Sequence, residues 1–141
     1  DGRKALCAQS RKFLSSGING AAVRLFEPTD ELAIAEGIET ALAVHLSTGK
    51  PVWAALSCGN MGKLWVPDSV ARVCIYADND ADAGFDGQAC AYALAHRLVR
   101  EARRLDASRP GREVQVFVPK HSGTDWADIW LARLTHMRQA A

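Results

Sequence analysis

The chain has 141 residues, 48% of them hydrophobic, and a formal net charge of +1. That length supports one domain with a real core and excludes two ordinary ones, and the near-neutral charge excludes a whole-molecule attraction to polyanions, so any basic surface must be a local patch. No signal peptide and no apolar stretch of spanning length is present, so a soluble cytoplasmic protein without a membrane role is expected.

The four cysteines, Cys7, Cys58, Cys74 and Cys90, lie far apart, mostly within apolar runs, and form no C-x-x-C pair. Buried thiols are expected rather than zinc ligands or disulfides. A chain that opens on Asp1 instead of Met reads as a fragment of a longer protein.

Residues 1–30 form a basic lead-in. Arg3, Lys4, Arg11, Lys12 and Arg24 outnumber Asp1, Glu27 and Asp30, and one or two strands are expected around the Gly17–Gly20 turn, the second ending at Pro28. Its charges suit either a solvated edge strand that resists pairing or an apron for phosphates.

From Glu31 onwards, in the part read as the main domain (31–141), the pattern becomes regular. Leu32-Ala33-Ile34-Ala35 is a short apolar strand broken by Glu36-Gly37, and Thr40 to Thr48 carries helical spacing that stops at Gly49. Val52 to Leu56 is a second strand, followed by a loop, Ser57 to Gly62, and a short helix. Val73 to Ala77 is a third, after Pro67. The chain then turns through Asp78-Asn79-Asp80-Ala81-Asp82-Ala83-Gly84 into a long helix reaching Leu105, with Ala91, Leu94, Leu98 and Ala102 on one face and Arg97, Arg100 and Arg104 on another. Val114 to Val118 is a fourth strand, and Thr124 or Asp125 caps a last helix. Four strands alternating with helices give a Rossmann-like α/β domain, a four-stranded and mainly parallel sheet flanked by helices with right-handed crossovers.

In such a sheet every carboxyl end lies on one edge, the edge where open α/β sheets bind ligands. Glu36 follows the first strand, Asp78 and Asp80 the third, and Asp125 and Asp128 the fourth. Side chains two apart in an extended segment point the same way, so Asp78 and Asp80 converge, and two ionised carboxylates that close repel unless a cation lies between them. Oxygen ligands of this hardness suit Mg²⁺ or Mn²⁺. A calcium loop is excluded, because Ala83 stands where such a loop needs Gly and Ala89 where it needs Glu. A phosphatase of the aspartyl-phosphate type would also place an acid pair after a strand, but it leaves Glu36 without a role. For Asp125 the competing reading is a helix cap. No Walker loop and no G-x-G-x-x-G is present. Lys63, Lys120, Arg24 and Asn60 are the candidates for contact with nucleotide or nucleic acid, with His121 ranked lower. The four tryptophans read as core or docking aromatics, although Trp126 could also stack on a base.

Ala35-Glu36-Gly37-Ile38-Glu39-Thr40-Ala41-Leu42, followed by Ala77-Asp78-Asn79-Asp80 and Ala83-Gly84, resembles the TOPRIM domain shared by topoisomerases, bacterial-type primases and some nucleases. Gly123-Thr124-Asp125-Trp126-Ala127-Asp128 and the lead-in Gly20 to Leu25 are most similar to primase-like proteins of phages, plasmids and other mobile elements. The resemblance implies metal-dependent phosphoryl transfer on nucleic acid. Asp78 and Asp80 would be metal ligands and Glu36 a ligand or general acid/base, with Asp125 and Asp128 as further possible ligands. It implies a DNA primase that makes RNA primers on single-stranded DNA from nucleoside triphosphates, joined to flanking domains such as a zinc-binding or helicase module. A TOPRIM nuclease, a topoisomerase cleavage domain and a non-catalytic binding module are the alternatives. Neither Tyr76 nor Tyr92 is placed to serve as a topoisomerase nucleophile.

Overall fold

The computed structural model describes residues 19–105 and 111–139. The first part of the basic lead-in, with Arg3, Lys4, Arg11, Lys12 and Cys7, lies outside the described residues, as does the side chain of Arg104. The elements in chain order are β1 (Val23–Arg24), β2 (Glu31–Ala35), α1 (Ile38–Thr48), β3 (Val52–Ala54), α2 (Cys58–Met61), β4 (Arg72–Tyr76), α3 (Asp86–Leu105), β5 (Glu113–Phe117) and α4 (Trp126–Gln139). The sheet has five strands in the order β1-β3-β2-β4-β5. Its four longer strands are parallel, as the alternation of strands and helices predicts. The fifth, β1, is a two-residue strand of the lead-in that pairs antiparallel with β3, Val23 opposite Ala54.

The central strands are apolar on both faces because both faces are covered. Leu32, Ile34, Val73, Ile75 and Ala77 point to one side and pack with Ala91, Leu94 and Leu98 of α3. Ala33, Ala35, Cys74 and Tyr76 point to the other and pack with Ala41 and Val44 of α1. Small residues on both sides of the second contact let α1 approach closely. Each fully buried Leu or Ile of the first contributes about 1.5–3 kcal/mol.

The strand order places a switch point beside β2. The connection from β2 runs through α1 to β3 on one side, whereas β4 lies on its other side and leads through α3 to β5. Since α1 and α3 cover opposite faces, a crevice opens between the carboxyl ends of β2 and β4.

Two expectations are corrected here. Cys58 and Cys90 are a disulfide, not free thiols: α2 packs on α3 and brings their Cα atoms to 5.5 Å across 32 residues of sequence. Spacing alone carried no sign of that approach. Cys74 is a buried free thiol, as expected. The arginine stripe of α3 is also not a uniform solvent face. Arg97 reaches across to the segment after α2, where Nε donates to Gly62 O at 2.9 Å and Nη2 donates to Leu64 O, while Nη1 donates to Glu101 one turn on at 2.7 Å. No described helix is long and apolar enough to cross a membrane.

Candidate metal centre

The register of the two central strands assembles the site. Ala35 of β2 lies opposite Tyr76 of β4, so Glu36 leaves the sheet beside Ala77 and one residue from Asp78. Neighbouring strands are about 4.8 Å apart, which puts these carboxylates on one lip although more than forty positions separate them in sequence. Asp78 Oδ1 is buried and accepts no hydrogen bond. Its carboxyl is pushed up to about 6, first by burial and then by the charges of Asp125, Glu36, Asp80 and Asp128. Glu36 is also raised, again mainly by burial, with Asp80 and Asp86 adding to it and a hydrogen bond from the Cys58 backbone opposing it.

Asp80 is fixed from below. Its Oδ2 accepts the Gly87 backbone N–H at 3.1 Å in the first turn of α3, and its own N–H donates to Gln88 Oε1 at 3.2 Å. A Cβ on Gly87 would stand 2.9 Å from Asp80 Oδ2 and 3.0 Å from Asp78 O, so only glycine permits this approach.

Asn79, to which the sequence alone assigns no role, is the hub of the turn. Asn79 Nδ2 donates to Pro119 O at 2.8 Å, while Oδ1 accepts from Gln88 Nε2 at 2.8 Å and from Ala81 N–H at 3.2 Å. Its backbone bridges to Thr124. One side chain thereby ties the Asp-x-Asp turn to α3 and to the β5–α4 loop. Two other residues beyond the reach of sequence reading are Leu56 and Phe85, which hold left-handed backbone with φ of 69° and 68°. That conformation costs an L-residue about 1–2 kcal/mol. Both flank the acids: Leu56 N–H donates to Glu36 O and Phe85 N–H to Asp80 O, each at 2.8 Å.

The remaining candidates divide. Asp125 and Asp128 cap α4 reciprocally, Asp128 N–H donating to Asp125 Oδ1 at 2.8 Å and Asp125 N–H to Asp128 Oδ2 at 3.2 Å. That is a capping box built with Asp, and it still leaves both charges near enough to act on Asp78. Lys120 is exposed in the β5–α4 loop next to Pro119, on the same rim as the acids. Lys63 is elsewhere: the carbonyls on either side of it, Gly62 O and Leu64 O, are held by Arg97 beside the middle of α3. Arg24, on the far edge strand, lies over the rings of Trp53 and Trp65 at 4.6 and 5.4 Å. Asn60 is withdrawn from any ligand. It is 6% exposed; its Oδ1 accepts from Gly20 N–H, and its Nδ2 donates to Ala21 O and Ala55 O, each at 2.7 Å. A polar residue in a strand-end loop looked like a rim group, but its amide sews the lead-in to the end of β3. Trp126 likewise docks, with Nε1 donating to Ala77 O at 3.1 Å.

Among the described residues the ion pairs are Lys50–Glu31, Arg72–Asp30 and Arg97–Glu101, none of them at this rim. Nor do any three described His, Cys, Asp or Glu side chains form a closed metal-binding group. The acids therefore share a lip and a field without closing into a cage. That is the setting Mg²⁺ accepts, since it keeps several waters and takes one or two carboxylates plus substrate phosphates. The unpartnered, buried Asp78 Oδ1 and the all-carboxylate donor set fit a hard divalent cation.

Fold and site together define a Rossmann-like α/β domain with carboxylates gathered at its switch point. The chain belongs to the Toprim domain family, whose match covers residues 31–136. That membership supports a metal-dependent function on nucleic acid, divalent ions such as Mg²⁺ being what these domains bind. A crystal structure of a DNA primase domain from Pseudomonas aeruginosa is similar in fold, with a TM-score of 0.53 and 17% identity over 89% of this chain and 41% of that one. The chain thus spans less than half of that neighbour. No curated protein sequence matches it.

Proposed function

We propose that the domain is the catalytic TOPRIM unit of a DNA primase, extending an RNA primer on single-stranded DNA from nucleoside triphosphates. The observation that carries this reading is the Asp78 carboxylate, whose buried Oδ1 has no hydrogen-bond partner, held on one lip with Glu36 and Asp80. Asp78 and Asp80 hold the cation, Mg²⁺ or Mn²⁺. When bound, such an ion neutralises charge on the attacking and leaving oxygens of an in-line displacement.

The protein's own groups do the rest. Asp80 is oriented by the Gly87 N–H, and Asp78 is carried by the turn that Asn79 fixes. Glu36, raised by burial, is a better proton acceptor than an ordinary carboxylate and takes the proton of the 3′-hydroxyl as its oxygen bonds to the α-phosphorus of the incoming nucleotide and the bond to the departing pyrophosphate breaks. Lys120 contributes a cation for phosphate at the same rim. Flanking domains of the same polypeptide, zinc-binding or helicase-like, supply further template contacts.

Primer synthesis and cleavage on single-stranded DNA, assayed side by side in Mg²⁺ and Mn²⁺ with wild-type and Asp78→Asn protein, test the reading. Metal-dependent lengthening that the variant loses supports a primase. Shortening would assign a nuclease instead, and nucleic-acid function that survives Asp78→Asn and Asp80→Asn would leave only a binding module.

A further inference from the structure

With Arg97 drawn inward, the exposed side of α3 carries a different set of residues. Tyr92, His96, Val99, Arg100 and Arg103 fall on one helical face and, with Val114 of the edge strand β5, line an open groove of about 860 Å³. Tyr92 is 57% exposed. Among the described residues, the groove has no acid in its lining. Glu101 lies on the opposite side of α3, paired with Arg97. Val114, Val116 and Val118 pack on the α3 side of β5, so Glu113, which alternates with them, faces away.

The groove also has a direction. Because α3 starts at the acidic rim and runs away from it, Tyr92 lies nearest the rim and Arg103 about 17 Å further along, at 1.5 Å per residue. At the rim end of α3, Phe85, the residue just before the helix, is 56% exposed, and its N–H donates to Asp80 O.

We propose that this groove binds a single strand of nucleic acid, with bases stacked on Tyr92 and Phe85 and the backbone phosphates met by Arg100 and Arg103, leading the strand to Glu36, Asp78 and Asp80. The inference rests on the nucleic-acid function proposed above and adds the surface that serves it. Two guanidinium groups with no opposing acid among the described lining residues complement a polyanion. An aromatic ring between those cations and the acidic lip favours a strand with unpaired bases over an acidic polypeptide, because every base offers a face to stack.

Fluorescence anisotropy with the full chain and a labelled oligo-dT of about twelve nucleotides reads this binding in EDTA, where no metal chemistry is needed. Tyr92→Ala is expected to weaken binding by about tenfold. Arg100→Gln with Arg103→Gln lowers the slope of log K against log salt by about 1.4, two phosphate contacts at about 0.7 each. Arg138→Gln, on the exposed face of α4, leaves both unchanged. These positions are exposed, and unchanged melting temperatures verify the fold of each variant. Failure of the wild type to bind, or wild-type affinity and slope in the groove variants, overturns the proposal. So does a poly-glutamate peptide that binds more tightly than the oligonucleotide and is lost in the same variants. Asp78→Asn, assayed in parallel, separates the two readings. If it abolishes metal-dependent activity while the groove variants bind normally, the groove alone falls; if the wild type has no metal-dependent activity, the catalytic reading falls and the binding curves still decide the groove.

Discussion

Asp78→Asn removes a charge that the fold holds at a cost, so the variant should be more stable than the wild type in the absence of metal. The carboxyl rises from an ordinary value of 3.8 to about 6. At 1.36 kcal/mol per pKa unit that is about 3 kcal/mol, and solvent screening of a partly exposed group reduces it to about 1–2 kcal/mol. No hydrogen bond to Oδ1 is lost in the exchange. For a chain of this length the gain corresponds to a rise in Tm of about 3–6 °C.

The pH dependence has a definite sign. A carboxyl whose folded-state value lies above its unfolded value stabilises the fold fully below the unfolded value, and that contribution is lost as pH rises through the folded one. The stability difference between variant and wild type should therefore be largest above pH 6 and shrink as the pH falls toward 4. Saturating Mg²⁺ reverses the order: the wild type gains about 2.7 kcal/mol at a hundredfold excess over Kd, and Asp78→Asn gains little. Thermal denaturation in EDTA and in Mg²⁺, at pH 8 and pH 5, measures all four quantities. A variant less stable than the wild type in EDTA at pH 8, or a wild type indifferent to Mg²⁺, would refute the reasoning.

Asn79→Ala frees Pro119 O, Gln88 Nε2 and the Ala81 N–H at once and should destabilise by about 1–3 kcal/mol in urea unfolding, with the m-value unchanged. Gly87→Ala gains helix propensity but drives a Cβ against Asp80 Oδ2 and the Asp78 carbonyl, so overpacking should still cost about 1–2 kcal/mol. It should also weaken Mg²⁺ or Mn²⁺ binding by about tenfold or more in a calorimetric titration, because the added Cβ pushes the Asp80 carboxylate off the backbone N–H that orients it.

The four longer strands were legible because β2 and β4, covered on both faces, show as unbroken apolar runs that end in acids. Parallel pairing of such runs implies that Glu36, Asp78 and Asp80 fall on one edge. A strand in the lead-in was legible, but not its length of two residues or its antiparallel place beside β3, since that pairing and the sewing of the lead-in by Asn60 join segments about thirty to forty residues apart. Asn60 was misread for the same reason: a loop amide satisfied by three distant backbone groups has the sequence appearance of an exposed one. Arg97 belongs with it, because helical periodicity gives the face from which a side chain leaves and not the carbonyls a long side chain can reach. The Cys58–Cys90 contact needed the docking of α2 on α3, which no spacing encodes.

These missed contacts have a common role, and it explains how the site can exist. Carboxylates crowded on one lip, with no ion pair among the described residues to offset them, would swing apart if only repulsion decided their positions. They are held by neutral groups instead: a backbone N–H on Asp80, an asparagine threaded through three segments, and two strained residues whose amides fix Glu36 and Asp80 from behind. Neutral donors set position without cancelling charge. A site whose acids were paired with lysine or arginine would be equally rigid but would have little left to attract a cation. Here the repulsion remains uncompensated, which is why protonation of Asp78 or arrival of a divalent ion both relieve it, and why either one should stabilise the same fold.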